Sequence, residues 1–196
     1  MSGRVVISVV AVSVLVVAAA AWWWLRGDDP RPAAFHGEST SAFYAAIDNR
    51  GKDAAPLTAQ EVFTAETETV GAMRRETTAE FTDCDEVLWG ASPAGCTQAL
   101  RATYRGGGTM AGQFVIFNMS DSGAADALVA ALGKDGFVRQ GVPFDPATSR
   151  AQARAMGHYV TVSWAGGTAY EQELVAALVA LDGLGRVVQG RIVAAT

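Results

Sequence analysis

Residues 98–119, QALRATYRGGGTMAGQFVIFNM, decide the fold. Over 98–105 the side chains alternate. Leu100, Ala102 and Tyr104 point one way and Arg101, Thr103 and Arg105 the other, the period-two mark of a strand with one buried face. Gly106-Gly107-Gly108 then turns the chain. Residues 110–119 are apolar on both sides, Phe114 and Ile116 on one, Val115 and Phe117 on the other. A strand covered on both faces belongs inside a sheet. The spacing predicts a hairpin whose second strand is central.

Upstream, residues 73–82 also alternate. Met73, Arg75, Thr77, Ala79 and Phe81 share one side, and Arg74, Glu76, Thr78, Glu80 and Thr82 the other. A fully polar face places this strand toward an edge. Downstream, Asp121 or Ser122 caps a helix carrying Ala125, Leu128, Val129 and Leu132 at helical spacing, stopped by Gly133. Residues 136–140 read as a short strand, followed by an irregular stretch with Pro143 and Pro146. Residues 156–164 read as the last strand, with His158, Val160, Val162 and Trp164 on one face and Tyr159, Thr161 and Ser163 on the other. Thr58-Ala59-Gln60-Glu61 and Thr168-Ala169-Tyr170-Glu171 both have the capping-box form. After the second, Tyr170, Leu174, Ala177, Leu178 and Leu181 line one helix face up to Gly183. The element order predicts an α+β domain: a mainly antiparallel sheet with its two amphipathic helices on one face. No internal repeat is visible.

The chain begins differently. Residues 5–25 carry no charge, and Trp22, Trp23 and Trp24 close the run before Arg26. As a helix this run is about 30 Å long, the thickness of a bilayer's hydrocarbon core. Indoles suit the membrane interface. The reading is an N-terminal transmembrane helix, uncleaved, crossing once. A cleaved signal peptide is the competing reading, with Ala18 to Ala21 as its small-residue site. The flanking charges alone do not orient the span; the expectation is one small domain tethered outside the cell. The expected organisation is a short cytoplasmic N-terminus at 1–4, the anchor at 5–25, a flexible stalk at 26–56, the extracytoplasmic domain at 57–183, and a tail at 184–196 that docks as a strand or frays. Within the stalk, 41–47 has the look of a helical turn carrying Phe43, Tyr44 and Ile47.

Composition narrows the function classes. The formal net charge is −5, and the short pairs Arg74 with Arg75 and Arg101 with Arg105 make no basic stripe, so nucleic acid is not an expected partner. Cys84 and Cys96 are the two cysteines. An even count outside a membrane predicts a disulfide, and closing so small a loop contributes about 3 kcal/mol in the chain-entropy model. Two buried thiols are the alternative. No zinc spacing and no Cys-x-x-Cys is present.

Asp83, Asp85 and Glu86 flank Cys84 with oxygens a hard cation would accept. No calcium-loop spacing follows, so a solvated acidic loop is expected, with no metal or cofactor. His158 is the histidine of the predicted domain, His36 that of the stalk. A general base needs a nucleophile or water and an orienting carboxylate beside it, and a core histidine bonded to backbone, or one at a sheet edge, is the favoured reading. The glycine triplet lacks the following Lys-Ser/Thr of a phosphate loop, and no Gly-x-Ser-x-Gly or His-Glu-x-x-His occurs. Asn118-Met119-Ser120 has the form of a glycosylation acceptor. No catalytic residue is expected; His158, Arg101 and Trp164 are the candidates to face a ligand.

Four segments carry a resemblance: Pro56-Leu57-Thr58, Asp83-Cys84, the run Gly95-Cys96-Thr97-Gln98-Ala99-Leu100-Arg101-Ala102-Thr103-Tyr104, and Gly157-His158-Tyr159-Val160. Set behind an anchor and stalk, they resemble a group of uncharacterised single-pass membrane-anchored proteins of actinobacteria. The likeness spans about 56–181. It implies the disulfide and the domain limits, and no reaction or ligand. The expected function is a membrane-anchored, extracytoplasmic binding or assembly module, non-enzymatic, meeting an envelope protein or a second copy of itself. The alternatives are a small-ligand sensor acting with a separate membrane partner, and an envelope hydrolase using His158.

Overall fold

The computed structural model describes residues 30–196 apart from 54 and 169. The apolar run 5–25 lies outside the described residues. Among those described, no helix is long and apolar enough to cross a membrane.

The chain forms β1 (Ala34–Ser39), a 3-10 segment (Ser41–Ile47), α1 (Ala59–Val62), β2 (Thr69–Val70), β3 (Met73–Phe81), β4 (Leu88–Trp89), β5 (Gln98–Arg105) and β6 (Ala111–Asn118). There follow α2 (Ser122–Lys134), β7 (Phe137–Val138), β8 (Arg150–Met156), β9 (Tyr159–Gly166), α3 (Glu171–Asp182) and α4 (Arg186–Ala195). Seven strands make one sheet in the order β1-β8-β9-β6-β5-β3-β2, and β4 pairs with β7 in a small separate ribbon. Among the described residues every strand pairing is antiparallel except β1 with β8. The class is α+β, as the element order predicts.

β6 stands fourth of the seven strands, and all eight of its residues are buried. Its two apolar faces serve two cores. Phe114 and Ile116 join Leu100, Ala102, Tyr104, Met73 and Tyr159 on one side. Val115 and Phe117 join Ala99, Ala153, Val160, Val162 and Trp164 on the other. The hairpin turn from β5 to β6 uses Gly108 at φ 63°, a conformation that costs a glycine nothing.

The two long helices lie on opposite faces, which corrects the expectation of one shared face. α2 brings Ala125, Leu128, Val129 and Leu132 to the Trp164 side. α3 brings Leu174, Ala177 and Leu181 to the Tyr159 side. The reason is the central strand itself: two apolar faces each need a cover. Each buried Val or Leu contributes about 2 kcal/mol.

β3 holds a second correction. Its register against β5 shifts between Arg75 and Thr77. This bulge lets Met73 enter the first core while Phe81 packs against the second, so the strict alternation of 73–82 is broken at Glu76. The stretch before 156 is not wholly irregular either, because β8 occupies Arg150–Met156 and meets β9 through a turn at Gly157 and His158. His158 therefore sits in the turn, and not on the strand face of Val160.

Much of the expected stalk is folded. β1 pairs in parallel with β8 over Ala34↔Arg150 to Ser39↔Ala155, and Ile47 is fully buried. The tail is a helix, α4, whose Val188 is buried in the first core. Asp121 caps α2, accepting from the Ala124 N–H, which holds its carboxyl below the usual range. Thr58 accepts from the Glu61 N–H as expected. The second capping box does not form. Tyr170 is the cap residue, and Thr168 instead accepts from the Tyr170 N–H and donates to Glu173.

Candidate functional site

Cys84 and Cys96 form the disulfide, with their Cα atoms 6.3 Å apart. Asp83 beside them is a cap: its carboxylate accepts from the Asp85 N–H at the start of a short 3-10 turn (Cys84–Val87). Asp85 and Glu86 are exposed. Among the described residues no group of three His, Cys, Asp or Glu side chains is placed to hold a metal. Asn118 is buried, and its Oδ1 accepts from the Arg50 guanidinium at 3.2 Å, so the glycosylation form is not presented to an enzyme.

The three residues expected to face a ligand are not brought together. Trp164 is fully buried in the second core, edge-on to Phe137 and Phe144, with its indole N–H donated to Ser149 Oγ at 2.8 Å. Arg101 lies half-buried on that same side of the sheet. Its guanidinium sits 5.0 Å from the centre of the Phe81 ring, and burial pulls its pKa down. His158 stands about 20 Å from Trp164, six residues along an extended strand.

His158 is fully buried. Its Nδ1 hydrogen goes to the Ile47 carbonyl at 2.8 Å, and the same carbonyl accepts the His158 backbone N–H. In a catalytic pair, an orienting carboxylate would occupy that position. Nε2 has no partner among the described residues. Burial lowers the imidazole pKa, and the Ile47 carbonyl and the Asp53 charge oppose that only in part.

Beside it lies a network that no single stretch of sequence announces. The Tyr159 ring lies 4.0 Å from the His158 ring, and its hydroxyl donates to Asp53 at 2.7 Å. Asp53 also accepts from Arg191 at 2.8 Å, and Arg191 reaches Glu61 at 2.6 Å and the carbonyl of Ala55 at 2.8 Å. Arg191 and Asp53 are 13% and 11% exposed. Burial and the neighbouring carboxylate raise the Tyr159 pKa, and Glu61 and Asp53 raise that of Arg191. The arrangement ties α4 to the segment before α1. Every donor and acceptor in it is engaged, so its chemistry is structural. Asp53 and Arg191 fall in the expected stalk and tail. The one signal for the second was Val188 and Ile192, four apart as on a helix.

The open chemistry lies on α3. Its outward side carries Val175 and Val179, 43% and 66% exposed, with Ala176 between them and Tyr170, 69% exposed, at its start. Tyr170 was expected on the buried face. It points outward because it precedes the first helical turn. Alongside runs a cleft of about 400 Å³ lined by Gly71, Ala72, Gly107, Met110, Ala176 and Ala177, with Glu173 as its charged member. Ala176 also lines the neighbouring depression with Tyr170, Glu171, Gln172 and Val175, so the two surfaces are continuous.

Comparison with family models, curated proteins and solved structures finds no match.

Proposed function

We propose that this chain is a membrane-anchored, single-pass protein whose extracytoplasmic domain is a non-enzymatic binding module. Its contact surface is the outward side of α3 with the adjoining cleft, and its partner is an envelope protein. The observation that carries this reading is the apolar outer face of α3. A surface helix ordinarily turns charge to water on the side away from its core. Here Val175, Ala176, Val179 and Tyr170 share that side with Gln172 and Glu171, next to a cleft whose lining is apolar except for Glu173. Such patches mark contact surfaces.

A photo-crosslinking residue at Val179 of the full chain, in native membranes, tests this, with Glu66 as the control position. One discrete adduct from Val179, absent from Glu66, is expected. No adduct, or the same ladder from both positions, rejects the reading. The cleft favours a second reading, a small-ligand sensor working with a separate membrane partner, because about 400 Å³ is within the range of ligand pockets. Ala176→Phe would fill the cleft and abolish ligand-dependent stabilisation, while leaving a protein contact at Val179 in place.

A further inference from the structure

The point where the described chain begins is pinned to one end of the sheet. Arg31 donates to the Lys134 carbonyl at 3.2 Å, closing the end of α2, and its guanidinium sits 4.8 Å from the centre of the Trp89 ring. The Ala33 N–H goes to Pro146 O at 3.1 Å and the Ala34 N–H to Ser149 O at 3.3 Å. From Ala34 the extended chain runs away over the six steps to Thr40, about 20 Å. Thr40 then bonds to Ala155 O, and the chain arrives at Phe43, 87% exposed, at the far end.

Residues 26–29 are all that separate the apolar run from Pro30. The five peptide steps from Leu25 to Pro30 reach at most about 18 Å. We infer that the end of the domain bearing Arg31, Trp89 and Lys134 rests on the surface of the bilayer that holds residues 5–25, with the Phe43 end turned away from it. The inference rests on the proposed uncleaved anchor. With the Phe43 end against the lipid, the chain would have to climb the length of β1 before folding back, farther than its tether extends.

The chemistry of this end suits a headgroup layer. Arg31 and Lys134 are exposed cations, and half-buried Trp89 offers an indole at the same level. Asp135 is also exposed there, Asp145 lies nearby with its carboxylate engaged by the Ala147 N–H, and at the start of α3 Glu171 is paired with Arg150 and Glu173 with Thr168. The short tether, more than the net charge, holds the contact. α3 starts after β9 ends, at this lower level with Tyr170, and runs toward the far end, so Val179, about two turns along it, stands farther from the lipid than Tyr170 does.

The test uses the full chain in vesicles of phosphatidylcholine with a minor share of phosphatidylglycerol. Lys134→Cys or Phe43→Cys carries a bimane fluorophore, with Cys84 and Cys96 left oxidised, and a nitroxide on the lipid headgroup acts as quencher. The expected result is quenching several-fold stronger at position 134 than at 43. Equal quenching would mean a domain lying on its side, and stronger quenching at 43 an inverted one; either overturns the orientation alone. A chain that alkaline carbonate washes from the vesicles overturns the anchor and the orientation together.

Discussion

Burial keeps the His158 imidazole neutral in the folded chain, its pKa held below the ordinary 6.5. The unfolded chain binds a proton near 6.5 and the folded one does not until the pH is lower. The contribution of this residue to stability is therefore complete above that value and is lost as the pH falls through it. Denaturant midpoints of the wild type and His158→Gln, followed from about pH 7 to about pH 5, should converge, the variant having the shallower slope. Parallel slopes would show that the ring titrates as it does in water. Arg191 is the second decisive residue. Arg191→Met leaves the Asp53 carboxylate buried without its cation and should cost about 3 kcal/mol in urea unfolding. Adding Asp53→Asn should cost less than the two single changes summed, because the two residues share one network.

Elements differed in how plainly the sequence wrote them. β6 was legible because Phe114, Val115, Ile116 and Phe117 leave it no polar face, and its place at the sheet centre follows from that. α2 was legible through the spacing of Ala125, Leu128, Val129 and Leu132. β8 was not, since Arg150, Gln152 and Arg154 alternate with alanines, and alanine has little strand preference. β1 was hidden by the same poverty: His36, Gly37 and Glu38 mark a loop by composition, and only the partner strand makes them a strand. The bulge at Glu76 cannot be read locally, because it exists to serve two cores at once. The disulfide was legible by count. Replacing Cys84 and Cys96 together with alanine should lower the unfolding free energy by about 3 kcal/mol while leaving the chain in the membrane fraction. An unchanged midpoint would refute the staple.

At the scale of the molecule, the candidate surface was the least legible part. His158, Arg101 and Trp164 stand out in the sequence by residue type alone, and the fold sends two of them inside and the third against Phe81. The α3 side emerged only once Leu174, Ala177 and Leu181 were seen to face the sheet, leaving Val175 and Val179 behind. Val179→Glu should change the melting free energy by no more than about 0.5 kcal/mol, as surface changes do. The same substitution should remove the crosslink formed from position 175. A large loss of stability would instead make Val179 part of the core.

The lone parallel pairing sets an order of events. Ala34 lies opposite Arg150, so the first described strand finds its only partner more than a hundred residues later in the chain. A strand that must wait this long closes a large loop, and such closure is slow. During synthesis the hairpin of β5 and β6 and the helix after it can assemble while β1 stays single. The piece next to the proposed anchor thus locks only after most of the chain has been made. Until β8 and β9 have emerged, the growing domain hangs from an unpaired thread, and its final stiff mounting is an act of maturation and not of initiation.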